Sequence, residues 1–277
     1  MAAFRTVAFV FLALLTACVS PTGGGIGEPS GAGAASPQVT LVLVCDVYKM
    51  GEENGRGGLA RIAAALKAEK ARHANVLIAH AGDTLSPSLM SGFDHGAHIV
   101  DLFNMTPLDI FVPGNHEFDF GPEVFRTRMA EFKAAVVAAN LRDADGKPIA
   151  GIVDSKLVRL GPIQVGVIGL SADDSAVTSK PGRLRFAESL ATAEREAVRL
   201  RKAGADLIVL VPHAGRDLDE RLFASGVADV ILSGHDHDLY MRFNEKTAIV
   251  EAGADGMAVV AVDLKLNIET KGDGTRK

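Results

Sequence analysis

Apolar residues follow two rhythms along this chain. Short unbroken runs of strand length alternate with stretches in which apolar residues recur every three or four positions between charges. Val39 to Cys45 is a Val-rich run, as a strand covered on both faces requires, and it ends at Asp46. Leu59, Ile62 and Leu66 then repeat at helical spacing, and Val76 to Ala81 is a second run ending at Gly82-Asp83. A short helix is expected around Ile99 to Phe103, before the run Ile110-Phe111-Val112, which ends at Gly114-Asn115-His116. Leu190, Ala193, Ala197 and Leu200 mark a helix closed by Gly204, and Leu207 to Val211 is a strand ending at Pro212-His213. Val230-Ile231-Leu232 ends at Gly234-His235, and Ala248 to Val250 and Ala258 to Leu264 are the last strand candidates. There is no internal repeat.

The N-terminus follows a different pattern. One positive charge at Arg5 precedes the apolar run Val7 to Leu15, which is too short to span a bilayer as a helix and reads as a signal peptide over residues 1–17. Its ending, Leu15-Thr16-Ala17-Cys18, resembles a bacterial lipobox, in which cleavage precedes a cysteine that carries a diacylglyceryl group. The expectation is a lipoprotein tethered through Cys18 to a membrane facing the periplasm or the cell surface, the outer membrane included. Between Val19 and Pro37, twelve of nineteen residues are Gly, Pro or Ser, so residues 18–37 form a flexible tether spanning roughly 24 Å. One domain is expected over residues 38–268, followed by a polar, disordered tail over 269–277.

Composition narrows the classes. With 277 residues, 48% hydrophobic and 23% charged, the chain is an α/β globule with enough length for one large core. Its 29 basic against 34 acidic residues, without long basic runs, exclude nucleic acid binding by bulk electrostatics. Two cysteines cannot build a disulfide scaffold, and Cys45, inside the first strand, reads as a packing residue. Glycine fingerprints of P-loop and dinucleotide folds are absent from the sequence.

Asp46, Asp83, Asn115, His213 and His235 each fall just past an apolar strand, at the edge where open α/β sheets gather ligands. With His237 they make an oxygen and nitrogen donor set free of thiolate, suited to Zn, Mn or Fe. Six donors exceed the need of one four-coordinate ion. Two ions bridged by a carboxylate and a water would use them all and could clamp a phosphoryl group.

In these blocks, Asp46-Val47-Tyr48, Gly82-Asp83-Thr84-Leu85-Ser86, Gly114-Asn115-His116-Glu117-Phe118-Asp119, Val211-Pro212-His213 and Gly234-His235-Asp236-His237, the sequence resembles the calcineurin-like metallophosphoesterases. The likeness is narrower to the catalytic domain of bacterial 5′-nucleotidases and covers about residues 38–267. It implies a four-layer αββα sandwich with mixed sheets and two divalent ions. Asp83 would bridge the ions, Asp46 and His237 would join it on the first, and Asn115, His213 and His235 would complete the second. His116 would face the phosphate outside the coordination shell, oriented and charged by Asp119. The implied reaction is in-line attack of a metal-generated hydroxide on a small phosphoester such as a nucleotide. His73, His80, His95 and His98 read as structural, with His80 lying close to Asp83 in the chain.

Two features depart from the family. Its first block usually reads Asp-x-His, with both residues as ligands; here Tyr48 stands in place of the His. A phenol is a poor ligand for Zn or Mn at neutral pH unless the metal displaces its proton. Tyr48 would therefore bind a harder ion as phenolate, leave a position for water, or weaken the first site; the intact remaining ligands favour water. Two-domain 5′-nucleotidases also carry a C-terminal domain whose aromatic residues sandwich the base, and no counterpart is expected within these residues. With no Trp and 5% aromatics there is no evident stacking platform, so nucleotides, cyclic nucleotides and other small phosphates stay open as substrates. Thiosulfate-ester hydrolysis is chemically accessible to the same centre without support in the sequence. The competing reading is a lipid-anchored binding or scaffold protein with a weakened metal site; retention of both His116 and Asp119 argues against it.

Overall fold

The computed structural model describes residues 8–12 and 39–266. Cys18, the tether and the expected tail over 269–277 lie outside the described residues. Strands and helices are numbered in chain order, with α2 (Ser91–Asp94) and α5 (Ser175–Thr178) single turns.

The first sheet has the order β1 (Ala8–Leu12), β15 (Val260–Lys265), β2 (Val39–Val44), β3 (Val76–His80), β4 (Ile110–Phe111), β5 (Ala135–Val137) and β7 (Ile152–Val153). From β2 to β7 neighbouring strands are parallel, whereas β15 runs antiparallel to β2. The second sheet has the order β13 (Leu239–Phe243), β14 (Ala248–Ala252), β12 (Val230–Ser233), β11 (Leu207–Pro212), β9 (Ile163–Leu170) and β8 (Ser155–Leu160). Its four inner strands are parallel and its two edges antiparallel. A separate pair joins β6 (Leu141–Arg142) to β10 (Arg185–Phe186).

Three apolar clusters define four layers. Leu41, Leu43, Leu77 and Val112 of one sheet meet Val165, Val209, Val211 and Leu232 of the other between the sheets. The outer face of the first sheet packs under α1 (Leu59–Arg72), α3 (Ala97–Phe103) and α4 (Gly121–Glu131) through Ile62, Leu66, Phe103 and Phe125. The outer face of the second packs under α6 (Ser189–Lys202) and α7 (Arg216–Ser225) through Ala193, Leu200, Leu222 and Phe223. Strands buried on both faces explain the unbroken apolar runs. The expected helix from Leu190 is α6: Glu188 caps it by accepting from the Ala191 amide at 2.6 Å, its last turn is basic, and Gly204 follows at φ 93°.

The periodic reading passed over β9, the central strand beside β11. Its pattern is broken by Gly166 and Gly169, and the second is required by close approach: a Cβ on Gly169 would lie 2.2 Å from the Val137 carbonyl oxygen of the other sheet. Ala8–Leu12, within the segment read as a leader, lies antiparallel along β15 at the edge of the first sheet. An open edge accepts any extended apolar segment, and β15 already holds its place through β2.

Candidate metal centre

Five strand ends deliver the polar residues. Asp46 follows β2, Asp83 follows β3, and Asn115 and His116 open the turn after β4; His213 follows β11, and His235 and His237 follow β12. The cluster therefore straddles both sheets. Asp46, Asp83, His235 and His237 all have positive φ, at 54°, 60°, 107° and 63°, a costly conformation for residues with a Cβ that concentrates at functional sites.

The donor atoms fall into two groups. In one, His213 Nε2 lies 3.1 Å from both Asp83 Oδ2 and His235 Nδ1, and His235 Nδ1 lies 3.0 Å from Asn115 Oδ1. In the other, the Tyr48 hydroxyl lies 3.4 Å from Asp46 Oδ1, 3.3 Å from Asp83 Oδ2 and 3.1 Å from His237 Nε2, and His237 Nε2 is 3.5 Å from Asp46 Oδ1. Asp83 Oδ2 belongs to both groups. His213 donates from Nδ1 to the Ala81 carbonyl at 2.6 Å, which turns Nε2 toward the shared carboxylate. The cradle has no room to spare: a Cβ on Gly114 would lie 2.2 Å from Asp83 Oδ1, and one on Gly82 would lie 2.8 Å from His213 Nδ1.

These residues fit divalent metal ions. Asp46, Asp83, Asn115 and His213 are buried, and two carboxylates are held beside convergent imidazoles. Burial alone would lower the His213 imidazole, but Asp83 and Asp46 raise it to about 10. Against its burial, His237 and His213 hold the Asp46 carboxyl below its ordinary value. Protonated imidazole thus offsets the carboxylate charge, a role a cation would take over. Burial and the charges of Asp83 and Asp46 push the Tyr48 phenol well above its ordinary range. The Tyr48 hydroxyl sits among Asp46, Asp83 and His237.

His116 stands next to the shared carboxylate. Its backbone amide donates to Asp83 Oδ1 at 2.8 Å, and its Nδ1 lies 2.6 Å from Asp119 Oδ2. Ser86 and Ser179 hydroxyls donate to Asp119 at 2.7 and 2.6 Å, fixing the carboxylate. The hydrogen bond to Asp119, opposed by burial and helped by Asp83, raises the His116 pKa. Its side chain remains about one-third exposed, so a substrate can reach it.

Three supports had no role in the sequence reading. Glu117 is fully buried and accepts from the backbone amides of Asp83, Thr84, Leu85 and Gly114 at 2.6–3.2 Å, tying the turns after β3 and β4 together. Burial and the Asp83 charge raise its carboxyl to about 7. Asp255 accepts from the amides of Tyr48 and Lys49 at 3.0 and 3.1 Å. Arg216 holds the His235–His237 loop: it donates to Glu251 at 2.7 Å and to Asp238 at 3.3 Å, pairs with Asp236 at 3.5 Å, and lies 4.0 Å over the Tyr240 ring. Ser179 and Asp255 lie too far away in sequence for any local signal; Glu117 stands inside the most specific block and could have been singled out.

The other histidines are accounted for locally. His80 is buried against Phe103 and Phe111, accepts from the Gly82 amide at 3.1 Å, and is held neutral by burial, its pKa lowered to about 3. His98 binds Asp94, His73 lies by Glu69, and His95 packs on Phe120. Cys45 is buried and donates its thiol to the Gly253 carbonyl at 3.2 Å.

Behind the loop, Asp219 is buried beside Glu251. Burial, with the Glu251 charge, outweighs the Ser233 hydroxyl and Arg216 and raises its carboxyl to about 8. A raised acid binds its proton more tightly folded than unfolded, so its contribution is present at low pH and lost as pH rises from about 4 toward 8. Asp219→Asn is therefore expected to gain on the parent by up to about 2–3 kcal/mol between pH 5 and 7, read by urea denaturation at each pH. A constant difference would show that Asp219 is ionised throughout.

A cavity of about 430 Å³ opens beside His237, lined by Arg56, Leu239, Asp255 and Met257 among others, within the range of small-molecule sites.

A two-sheet α/β sandwich with carboxylates and imidazoles converging at the strand ends defines a class of metal-binding phosphoesterase. Residues 39–239 match the calcineurin-like phosphoesterase family, and the chain belongs to that family. It is 28% identical over 238 residues to the snake venom 5′-nucleotidase of Gloydius brevicauda, covering 79% of this chain and 40% of that protein. It is 31% identical to a probable 5′-nucleotidase of Treponema pallidum, covering 66% of this chain and 32% of that one. The crystal structure of a 5′-nucleotidase precursor from Thermus thermophilus superposes with a TM-score of 0.72 at 25% identity, over 86% of this chain and 52% of that one. The chain thus spans about two-fifths of the length of the snake venom relative.

Proposed function

We propose that this chain is a metal-dependent hydrolase of small phosphoesters, of the 5′-nucleotidase type, with nucleotides as its substrates. The observation that carries this reading is a single carboxylate oxygen, Asp83 Oδ2, shared by two groups of donors next to a half-open His116. Asp46, Asp83 and His237 would hold one ion, and Asp83, Asn115, His213 and His235 the other. When bound, two divalent ions supply Lewis acidity that lowers the pKa of a water and offsets charge on phosphoryl oxygens. Zn, Mn and Fe all suit the donor set.

The chain's own residues do the rest. His116, charged through Asp119, donates a hydrogen bond toward a phosphoryl or leaving-group oxygen. Glu117 keeps the turns bearing Asp83 and His116 in fixed relation through its four amide contacts. The cavity beside His237 receives the organic part of the ester, with the exposed side chains of Leu239 and Met257 as its apolar surface. The Leu15-Thr16-Ala17-Cys18 sequence supports a lipid anchor at Cys18 on a membrane facing the periplasm or cell surface. Intact-mass measurement of the native protein tests the anchor, and an unacylated N-terminus upstream of Cys18 overturns it.

Phosphate release from nucleoside monophosphates, cyclic nucleotides and p-nitrophenyl phosphate, with Mn or Zn added, tests the activity. Turnover that chelator abolishes and metal restores is expected. No turnover with either metal would favour the scaffold reading.

A further inference from the structure

We propose that Tyr48 is itself a ligand of the first metal, giving its phenolic oxygen where the family has an imidazole. The proposal rests on the two-metal reading above and concerns one donor within it.

The Tyr48 hydroxyl lies 3.4, 3.3 and 3.1 Å from Asp46, Asp83 and His237. Hydroxyls that bond carboxylates or carbonyls are shorter, typically ~2.7–2.8 Å. Nearby hydroxyls obey that rule: Ser86 and Ser179 to Asp119 at 2.7 and 2.6 Å, and Thr84 to the Val47 carbonyl at 2.7 Å. Tyr48 has two carboxylate oxygens within reach and closes on neither. Donors around a four-coordinate ion with bonds of ~2.0–2.1 Å stand ~3.3–3.4 Å apart, the edge of the tetrahedron. The Tyr48 contacts, and the 3.5 Å between His237 and Asp46, match that edge within a few tenths of an ångström. The oxygen is spaced as one donor among others.

The backbone fixes that placement. Asp255 grips the Tyr48 and Lys49 amides, and the ring is buried edge-on to His116 with centroids 5.7 Å apart. Swinging the phenol out would expose a buried ring. Coordination exchanges the phenolic proton for the cation: the O–H bond breaks, the oxygen keeps the electron pair as its donor pair, and the proton leaves to solvent. A hard phenolate oxygen beside two carboxylates selects a harder ion at this position than the imidazoles do at the other.

The sequence makes the test clean, because the chain has no Trp and only two tyrosines, Tyr48 and Tyr240. Zn²⁺, which has no absorption of its own, is titrated into the metal-free full chain at constant pH. Near-ultraviolet difference absorption is followed together with the metal bound at equilibrium. The expected result is one phenolate per chain, gained with one of the two zinc equivalents, kept in Tyr240→Phe and lost in Tyr48→Phe. Tyr48→Phe should also bind that equivalent at least ~10-fold more weakly, and Tyr48→His should restore binding without the phenolate signal. Zinc bound without a phenolate signal, or a signal that survives Tyr48→Phe, overturns the proposal and leaves the metal centre standing. No zinc bound by the parent chain overturns the metal centre and the proposal with it.

Discussion

Replacing His116 with alanine is expected to lower kcat for phosphate release by at least about 10²-fold with bound metal unchanged, the scale for loss of a positioned proton donor. The two readouts separate because of how the residue is held. Its hydrogen bond to a proposed ligand runs from the backbone amide to Asp83 Oδ1, and alanine keeps that amide. The lost imidazole is the part fixed by Asp119 and open to substrate. Because the pKa of His116 is raised, the cationic form persists to higher pH than for a free imidazole, and activity that depends on it falls as pH climbs past that raised value. Asp119→Asn should give a smaller loss and bring that fall to lower pH. If His116→Ala turned over at the parent rate, the assigned role would be wrong even with the metals in place.

The second large effect is expected from Asp83→Asn. One oxygen of Asp83 serves both groups of donors, so the substitution should reduce bound zinc from two equivalents to fewer than one and abolish phosphate release. Stability should divide in an informative way. In the parent, zinc at 100 times its Kd adds ~2.7 kcal/mol for each of the two sites, together about 10–20 °C in Tm for a chain of this size. In Asp83→Asn that increment should vanish. Without metal, the variant should melt below the parent at neutral pH, because the Asp83 carboxylate is the main partner of the buried, protonated His213 imidazole, and the relief of charge at Glu117 offsets only part of that loss. Scanning calorimetry with zinc and with chelator checks both halves. A full zinc increment in the variant would mean that Asp83 is not the shared ligand.

Much of the architecture was legible in the chain because burial leaves a period. Strands β2, β3, β11 and β12 are covered on both faces, and each shows as an apolar run ending in a polar residue. What escaped were elements whose pattern is broken for reasons of packing. Gly166 and Gly169 interrupt β9, the second because the facing sheet comes too close for a Cβ. α4 opens on Gly121-Pro122, and its few buried positions, Phe125 and Met129, leave little periodicity to read.

The candidate site divides in the same way. Its donors were legible because each sits at a strand end inside a short block, so residue type and local position were enough. Their supports were not. Ser179 reaches Asp119 across sixty residues, and Asp255 grips the Tyr48 amide from more than two hundred residues away. Arg216 joins α7 to the loop after β12 through partners from three segments. None of these contacts has a period or a spacing.

By itself, then, the sequence determined which atoms could meet: an oxygen and nitrogen donor set with a histidine and aspartate pair, placed where sheets end. Only the tertiary structure decided how they meet. It put one oxygen of Asp83 between two groups, turned His213 by a carbonyl bond, and aimed the Tyr48 hydroxyl into a position the chain order left open. The reason is physical: residue type is a local property, but the direction of a side chain is set by whatever packs against it, and that comes from the rest of the fold.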